Sequence, residues 1–169
     1  MIRSELKSKN YFQEGKMFYI LSIVLILIID QFSKYLTVLY IKPINSYPLI
    51  NQVFHLTYAE NRGAAFSIFS GKQMLLIIVT ALIITLLGCY FVKVRKSGQT
   101  LLKVSLSLII GGAMGNLVDR LRLNYVVDML DFTLINYPIF NMADVFVVTG
   151  AILLSYYMLK DTKVSLIKG

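Results

Sequence analysis

The chain has 169 residues, of which 57% are hydrophobic and only 15% are charged. Soluble domains average about 25% charged residues, so this composition excludes an ordinary water-soluble protein and indicates one domain, residues 1–169, whose solvent is largely lipid. The basic residues behind the net charge of +8 lie outside the apolar runs, at both ends of the chain and in the segments that connect the runs, so we expect no nucleic-acid partner.

Four apolar runs predict four transmembrane helices. They cover residues 17–29, 74–92, 104–118 and 145–159. A helix needs about 20 residues to cross a hydrocarbon core about 30 Å thick, so polar residues at the ends of the shorter runs must enter the membrane. We therefore expect spans of about 17–36, 73–92, 101–119 and 142–160. Buried helices of a soluble protein are the alternative, but no charged outer face interrupts the runs.

The basic residues predict the orientation of these helices. If the helices alternate in direction, 11 of the 17 Lys and Arg residues lie on one side of the membrane. The positive-inside rule then places both termini, including the polar extension 1–16, in the cytoplasm. We interpret residues 1–29 as a retained first helix and not as a cleaved secretory signal, because no small-residue cleavage site follows their apolar run. The segments 36–72 and 119–143 then face outward.

The first outward segment predicts a small β element. Pro43 and Pro48 break the preceding helix, and the stretch "QVFHLTY" at 52–58 mixes β-branched and aromatic residues in rough alternation. A glycine-containing turn, "NRGAAF", follows at 61–66. Because exposed strand edges are not tolerated in lipid, we expect this element to pack on the helix ends or to lie in the headgroup layer.

Ionisable side chains at membrane depth are costly, so each is a candidate functional residue. Asp30 and Lys34 stand four residues apart at the end of the first predicted helix. This spacing places them on one face and predicts an ion pair. A role in orienting substrate is the alternative.

The third and fourth helices share the pattern Asn-x-x-Asp. Asn116 and Asp119 end the third helix, whereas Asn141 and Asp144 begin the fourth, so both pairs lie at the same membrane depth. We expect Arg120 to neutralise Asp119, because an unpaired charge at that depth is unfavourable. Helix capping alone is the alternative explanation for Asn141 and Asp144.

Three carboxylates, Asp128, Asp131 and Asp144, are left without an obvious neutralising partner in the sequence. Two such groups in a site of low dielectric constant must share a proton, which is the arrangement of the aspartic proteases. The residues alone do not choose between Asp128 and Asp131. Intramembrane carboxylates also serve ion pathways, so a transporter or proton-relay subunit is the alternative, and a non-catalytic scaffold is a third possibility.

The sequence contains few residues that could support other kinds of catalysis. His55 is the single histidine and Cys89 the single cysteine, so we expect no metal site and no cofactor. A Ser–Lys dyad of Ser33 or Ser67 with Lys34 is a minor alternative. The G-x-x-x-G spacing at 111–115 predicts close helix packing or, alternatively, room for a substrate backbone.

Five sequence blocks between residues 17 and 160 together resemble the lipoprotein signal peptidases, also called signal peptidase II. They are "DQFSK" at 30–34, "NRGAAFSIFSG" at 61–71, "GNLVDR" at 115–120, "VVDMLDF" at 126–132 and "FNMAD" at 140–144. The resemblance implies an all-α integral membrane protein with four transmembrane helices and an extracytoplasmic β-cradle. It also implies a bacterial inner-membrane aspartic endopeptidase that cleaves diacylglyceryl-modified prolipoproteins just before the lipidated cysteine, in contact with membrane lipid. Because the substrate enters laterally from the lipid, we expect a monomer to suffice.

Carried over by position, the resemblance implies that Asp128 and Asp144 form the catalytic pair. It assigns supporting or substrate-contacting roles to Asp30, Lys34, Asn61, Gly63, Asn116, Asp119, Arg120 and Asn141. Asn124 and Met129 depart from the Gly and Phe of many members, and we expect Asn124 to tolerate the turn before Asp128. Because Asp144 lies near a helix N-terminus, we place the resting proton on Asp128. Asp131 and the extension receive no role.

Overall fold

A computed structural model describes the backbone of residues 2–63, 71–95 and 98–168, and the side chains of residues 17–63, 71–95 and 98–160. In chain order the elements are α1 (Ile2–Leu36) with a π-helical turn (Thr37–Ile41), β1 (Ser46–Ile50), β2 (Phe54–Asn61), α2 (Gln73–Val94), α3 (Thr100–Leu123), β3 (Val126–Asp131), a 3-10 turn (Thr133–Ile135) and α4 (Met142–Lys168). The backbone of α1 includes most of the extension 1–16.

Four of these helical stretches are long and apolar enough to cross a membrane. They are Met17–Ile41, Gln73–Val94, Thr100–Leu123 and Met142–Lys160. The chain is therefore a multi-pass membrane protein, as the apolar runs predict. The third stretch is one turn longer than its predicted span, because Asp119 and Arg120 remain helical and are buried by partners from other elements.

The helix α3 lies at the centre of the bundle. Its residues Leu102, Leu106 and Ile110 are buried and pack with side chains from the other three helices, among them Ile23, Phe91 and Leu154. The outer surface of the bundle consists of large exposed apolar side chains on the surrounding helices. Such a surface is suited to lipid, since exposed apolar patches of this extent are rare on soluble monomers.

Two glycines of α3 explain how closely the helices approach one another. A methyl group at Gly112 would collide with the carbonyl oxygen of Ala143 in α4, and one at Gly115 would collide with the carboxylate of Asp30 in α1. At these positions the small side chains serve helix packing. The alternative of room for a substrate backbone receives no support there.

The sheet lies at the end of the bundle where α1 ends and α4 begins. It is antiparallel with the order β1-β2-β3, and Ala59 of β2 pairs with Asp128 of β3. The β1–β2 hairpin confirms the predicted β element, whereas the sequence analysis predicted no strand at β3. The strand is hard to recognise because Val126, Val127 and Met129 are all buried, without the alternation of a half-exposed strand.

Asn124 makes the turn from α3 into β3. Its φ of 61° lies in the left-handed region, and its N–H donates to the carbonyl oxygen of Arg120 at 3.2 Å. A residue in this conformation is a common helix C-terminal cap, usually glycine and sometimes asparagine. The expectation that asparagine supports this turn is therefore confirmed.

Candidate active site

The two predicted catalytic carboxylates lie on the same cavity. Asp128 comes from the middle of β3 and Asp144 from the first turn of α4, and both line a cavity of about 500 Å3 at the sheet end of the bundle. Asn61, Asn116 and Arg120 line it as well. The structure thus brings together residues from β2, α3, β3 and α4 that are up to 83 positions apart in the sequence.

Two asparagine side chains hold the carboxylate of Asp128. The amide of Asn141 donates to its Oδ1 at 2.6 Å, and the amide of Asn61 donates to its Oδ2 at 3.0 Å. Burial, followed by the negative charge of Asp144, raises the pKa of Asp128 to about 7, although both amide donors act in the opposite direction. This direction supports the hypothesis that Asp128 carries the resting proton.

A reciprocal helix cap holds the carboxylate of Asp144. The backbone N–H of Asn141 donates to Asp144 Oδ2 at 3.2 Å, and the backbone N–H of Asp144 donates to Asn141 Oδ1 at 3.0 Å. This is a capping box with aspartate at the third helical position. The amide of Asn116 donates to the other oxygen, Oδ1, at 2.8 Å. Asn141 and Asp144 therefore cap α4 and also line the cavity, so the two explanations are not alternatives.

Lys34 determines which way Asn116 faces. The ammonium nitrogen lies 2.9 Å from Asn116 Oδ1, from Asp30 Oδ2 and from Asp119 Oδ2. An ammonium group only donates hydrogen bonds, so Asn116 must direct its oxygen to Lys34 and its NH2 group to Asp144. The buried lysine thus fixes the hydrogen-bond donor that Asp144 receives.

Asn141 connects this network to Asp128. Its oxygen is occupied by the N–H of Asp144, while its NH2 group donates to Asn116 Oδ1 at 3.1 Å and to Asp128. All its hydrogen-bonding groups that face the site are therefore assigned. A continuous series of hydrogen bonds runs from Lys34 through Asn116 and Asn141 to both carboxylates, and such satisfied buried networks are rigid.

The predicted ion pair of Asp119 with Arg120 is wrong. Asp119 pairs with Lys34, accepts a hydrogen bond from Gln31 Nε2 at 2.9 Å, and accepts another from the backbone N–H of Val127 at 3.1 Å. Consecutive helical residues point in different directions, so Asp119 and Arg120 do not face each other. Asp119 therefore joins α1 to α3 and holds β3 one residue before Asp128.

Arg120 binds a different part of the chain. It donates from a terminal nitrogen to the carbonyl oxygen of Gly63 at 2.9 Å. The backbone N–H of Gly63 in turn donates to Asn61 Oδ1 at 2.9 Å, which orients the Asn61 amide toward Asp128. The predicted block 61–71 thus contributes Asn61 and Gly63 to the site, and its residues 64–70 lie outside the described residues.

The predicted pair of Asp30 and Lys34 is present and buried. The second oxygen of Asp30 accepts a hydrogen bond from the backbone N–H of Ala143 at 2.9 Å, in the first turn of α4. A carboxylate is favourable at a helix N-terminus. Ser33 donates to the carbonyl oxygen of Asp30 at 2.7 Å. Since Lys34 already has three acceptors, this geometry does not favour a Ser33–Lys34 dyad; Ser67 is outside the described residues.

Asp131 does not join the site. It lies three residues from Asp128 on a strand, so its side chain extends from the opposite face. There it accepts a hydrogen bond from the Thr57 hydroxyl at 2.8 Å. Sequence reasoning missed Thr57 and Gln31, because contacts between distant elements leave no signal in local spacing. Among the described residues, no group of three or more His, Cys, Asp or Glu side chains is arranged to hold a metal ion.

The sequence and the fold of this chain are similar to those of known proteins. The family model described as signal peptidase (SPase) II matches residues 22–160. A lipoprotein signal peptidase of Halothermothrix orenii is 49% identical over 148 residues, covering 88% of this chain and 99% of its own. A lipoprotein signal peptidase of Clostridioides difficile is 47% identical, covering 85% and 95%.

A solved structure shares the fold. It is a bacterial membrane enzyme with a TM-score of 0.76 and 34% identity, and the match covers 85% of this chain and 88% of the other. A second structure of a bacterial membrane enzyme has a TM-score of 0.72 at the same identity. With a family model that spans most of the chain and relatives above 40% identity, the chain belongs to the signal peptidase II family of proteases.

Proposed function

We propose that this protein cleaves the signal peptide from diacylglyceryl-modified prolipoproteins immediately before the lipidated cysteine, with Asp128 and Asp144 as an aspartic catalytic pair. The observation that carries the proposal is that both carboxylates line one cavity, each held by amide donors. The names of the relatives, lipoprotein signal peptidases, supply the substrate class.

The two carboxylates have different roles in the proposed reaction. Ionised Asp144 takes a proton from a water molecule, whose oxygen attacks the carbonyl carbon of the scissile peptide bond. Protonated Asp128 donates a hydrogen bond to the carbonyl oxygen as negative charge develops there. When the tetrahedral intermediate collapses, the C–N bond breaks and the amine of the lipidated cysteine takes up a proton from the pair.

The surrounding polar residues support these roles. The asparagines at 61, 116 and 141 donate uncharged N–H groups, so they orient the carboxylates without themselves titrating. Arg120 lines the cavity, so its guanidinium group is a candidate hydrogen-bond donor to a substrate carbonyl oxygen.

The size of the cavity restricts the conformation of the substrate. One turn of helix, about 10 Å across and 5.4 Å long, already fills roughly 400 Å3. The cavity of about 500 Å3 therefore has room for little more than one such turn, so a longer helix does not fit inside it. We infer that the signal peptide unwinds around the scissile bond, which exposes its backbone to the carboxylates, while the diacylglyceryl chains stay in the bilayer.

The charge distribution supports the proposed cellular placement. With 11 of 17 basic residues on the side of the termini, we expect a multi-pass protein of the bacterial cytoplasmic membrane with both termini cytoplasmic. The site then lies near the outer leaflet, where lipidated substrates are anchored. A single chain contains all the proposed site residues, so a monomer suffices.

The test uses purified protein in detergent or lipid with a diacylglyceryl-modified precursor. We expect release of the signal peptide by the wild type, a new N-terminus at the lipidated cysteine, and loss of cleavage in Asp128→Asn and in Asp144→Asn. Asp131→Asn is the matched control, because this acid lies on the same strand outside the cavity. Ion movement in liposomes without cleavage would support the transporter alternative instead.

A further inference from the structure

Five side chains beside the cavity form a cluster that the proposed chemistry does not use. We call it the basic–aromatic cluster, and its members are Lys42, Tyr58, Glu60, Arg62 and Tyr125. Of these, Glu60 also lines the cavity. The hydrogen bonds that hold the two proposed catalytic carboxylates come from asparagine side chains and from the first turn of α4. The cluster is therefore outside that network and requires its own explanation.

The cluster joins the ends of two membrane spans. Lys42 directly follows the span Met17–Ile41, and Tyr125 comes two residues after the span Thr100–Leu123. Tyr58 of β2 contacts both, since its hydroxyl oxygen lies 3.1 Å from Lys42 Nζ and 3.4 Å from the Tyr125 hydroxyl oxygen. Basic and tyrosine side chains that flank membrane spans generally lie among the lipid headgroups. The phosphate groups of lipids are therefore natural neighbours of this cluster.

Hydrogen bonds within the cluster satisfy the oxygens of Tyr58 and Glu60. The hydroxyl group of Tyr58 donates its single proton to Glu60 Oε1 at 2.9 Å. Lys42 and Tyr125 are therefore the donors to the Tyr58 oxygen. Arg62 donates to the other carboxylate oxygen, Glu60 Oε2, at 3.1 Å. The hydrogen bond to Tyr58, followed by burial, raises the pKa of Tyr125 to about 12, so this hydroxyl group keeps its proton at neutral pH.

The cluster keeps donors and positive charge on its exposed side. The hydrogen bonds above use one of the three N–H groups of Lys42 and one of the five of Arg62. These two side chains are 47% and 63% exposed. Lys42 Nζ lies 4.7 Å from the centroid of the Tyr58 ring, and Arg62 Cζ lies 5.7 Å from that of Tyr125, so the rings orient both cations. Two cations and one carboxylate leave a net positive charge, which is complementary to the anionic oxygens of a phosphate diester.

We propose that the basic–aromatic cluster binds the phosphate group of an anionic phospholipid of the surrounding membrane. Lys42 and Arg62 donate to the phosphate oxygens from their exposed sides. A zwitterionic headgroup carries an ammonium group beside its phosphate, and the net positive charge of the cluster repels that group, so the anionic lipid is preferred. Glu60 orients both cations but also repels the phosphate, so its carboxylate limits the affinity.

This lipid would lie beside the proposed catalytic residues without reacting. Asn61 directly follows Glu60 on β2, and its amide donates to Asp128. A lipid held by the cluster therefore contacts the strand that orients this carboxylate. The inference requires a membrane around the chain but not the cleavage reaction, so binding and cleavage can fail separately.

The experiment measures lipid binding to the purified full chain by native mass spectrometry. The protein is titrated in mixed micelles that contain phosphatidylglycerol and phosphatidylcholine with the same acyl chains, and a separate sample contains inorganic phosphate instead of these lipids. The wild type is compared with Lys42→Gln, Arg62→Gln, the double variant and Glu60→Gln, each first shown to be folded by circular dichroism. Arg122→Gln is the matched control, because Arg122 is an exposed arginine in the last turn of α3 and loses the same charge.

We expect the wild type to prefer phosphatidylglycerol over phosphatidylcholine. Lys42→Gln and Arg62→Gln should each weaken phosphatidylglycerol binding roughly fivefold, the scale of one basic residue at an anionic lipid surface, and the double variant roughly 25-fold. Arg122→Gln should weaken it less than about twofold, because screening limits attraction at a distance. Glu60→Gln should strengthen binding, which misfolding does not produce.

Three results would overturn the inference. The first is equal weakening by Arg62→Gln and Arg122→Gln, which would show non-specific attraction. The second is wild-type affinity in the double variant, and the third is inorganic phosphate binding as tight as that of phosphatidylglycerol, which would show a phosphate site without a lipid. Cleavage of a lipidated precursor is measured separately, and its absence would contradict the proposed function while leaving the lipid site intact.

Discussion

Replacing Lys34 by methionine should destabilise the fold strongly. Lys34 is 3% exposed, and its ammonium group neutralises Asp30 and Asp119, which are buried as well. Methionine keeps most of the side-chain volume but removes the charge and three hydrogen-bond donors. Two carboxylates then face each other without a cation, which is the situation in which a broken buried ion pair is most unfavourable.

The distances between the charged groups determine the expected loss of stability. The two carboxylate oxygens are each 2.9 Å from the same nitrogen, so they are at most about 5.8 Å apart. At an effective dielectric constant of about 20, two unit charges at that separation repel by about 3 kcal/mol. Removal of one partner of a buried pair generally costs about 3–5 kcal/mol. We therefore expect the unfolding equilibrium constant of Lys34→Met to rise roughly 100- to 5,000-fold.

The assay is unfolding by sodium dodecyl sulfate in mixed micelles, followed by far-ultraviolet circular dichroism. Lys93→Met is the matched control, because Lys93 is an exposed lysine near the end of α2, and we expect a change below about 0.5 kcal/mol. The double variant Lys34→Met, Asp119→Asn should recover part of the loss, since one of the two repelling charges is gone. A loss for Lys34→Met as small as that for Lys93→Met would refute the argument.

Three further predictions follow from the same contacts. Because the pKa of Asp128 is raised to about 7, its carboxyl group keeps the proton below neutral pH and loses it above. We therefore expect kcat to fall about tenfold per pH unit above pH 7 in a profile measured from pH 5 to 9. A constant kcat up to pH 9 would contradict this prediction. Gly115→Ala should destabilise by about 1–3 kcal/mol through collision with Asp30, whereas Gly88→Ala, which has open space, should be neutral or slightly stabilising in the same unfolding assay. Asp131→Asn should keep near-wild-type turnover and lose at most about 1 kcal/mol of stability with its hydrogen bond; loss of turnover comparable to that of Asp128→Asn would show that the wrong acid was chosen.

The sequence predicted those features of the molecule that depend on a local free-energy penalty. An apolar run long enough to span a membrane is unfavourable in water, and an acid at its end is unfavourable in lipid, so both leave a clear pattern. The repeated Asn-x-x-Asp pattern placed two pairs at one depth, and in the structure the amide of Asn116 reaches Asp144 while that of Asn141 reaches Asp128.

The partners of the supporting charges were not predictable in this way. Lys34 and Asp119 are 85 positions apart, and the sequence analysis paired Asp119 with its neighbour Arg120 because only local spacing was visible. The choice of Asp128 over Asp131 required recognition of β3, whose faces separate the two acids. In the sequence that choice came from the family resemblance alone, since the first four residues of β3 are all buried and show no strand periodicity.

The central claim is that Asp128 and Asp144 act together on a lipidated precursor, and one measurement tests it most directly. Single-turnover cleavage of a diacylglyceryl-modified precursor is followed by mass spectrometry for the wild type, Asp128→Asn and Asp144→Asn, each first shown to be folded by circular dichroism. We predict that the wild type cleaves before the lipidated cysteine. In both variants we expect a rate at least about 1,000-fold lower, which is the order of magnitude expected when a catalytic acid or base and the water that it activates are lost. Cleavage by both variants at the wild-type rate would contradict the account.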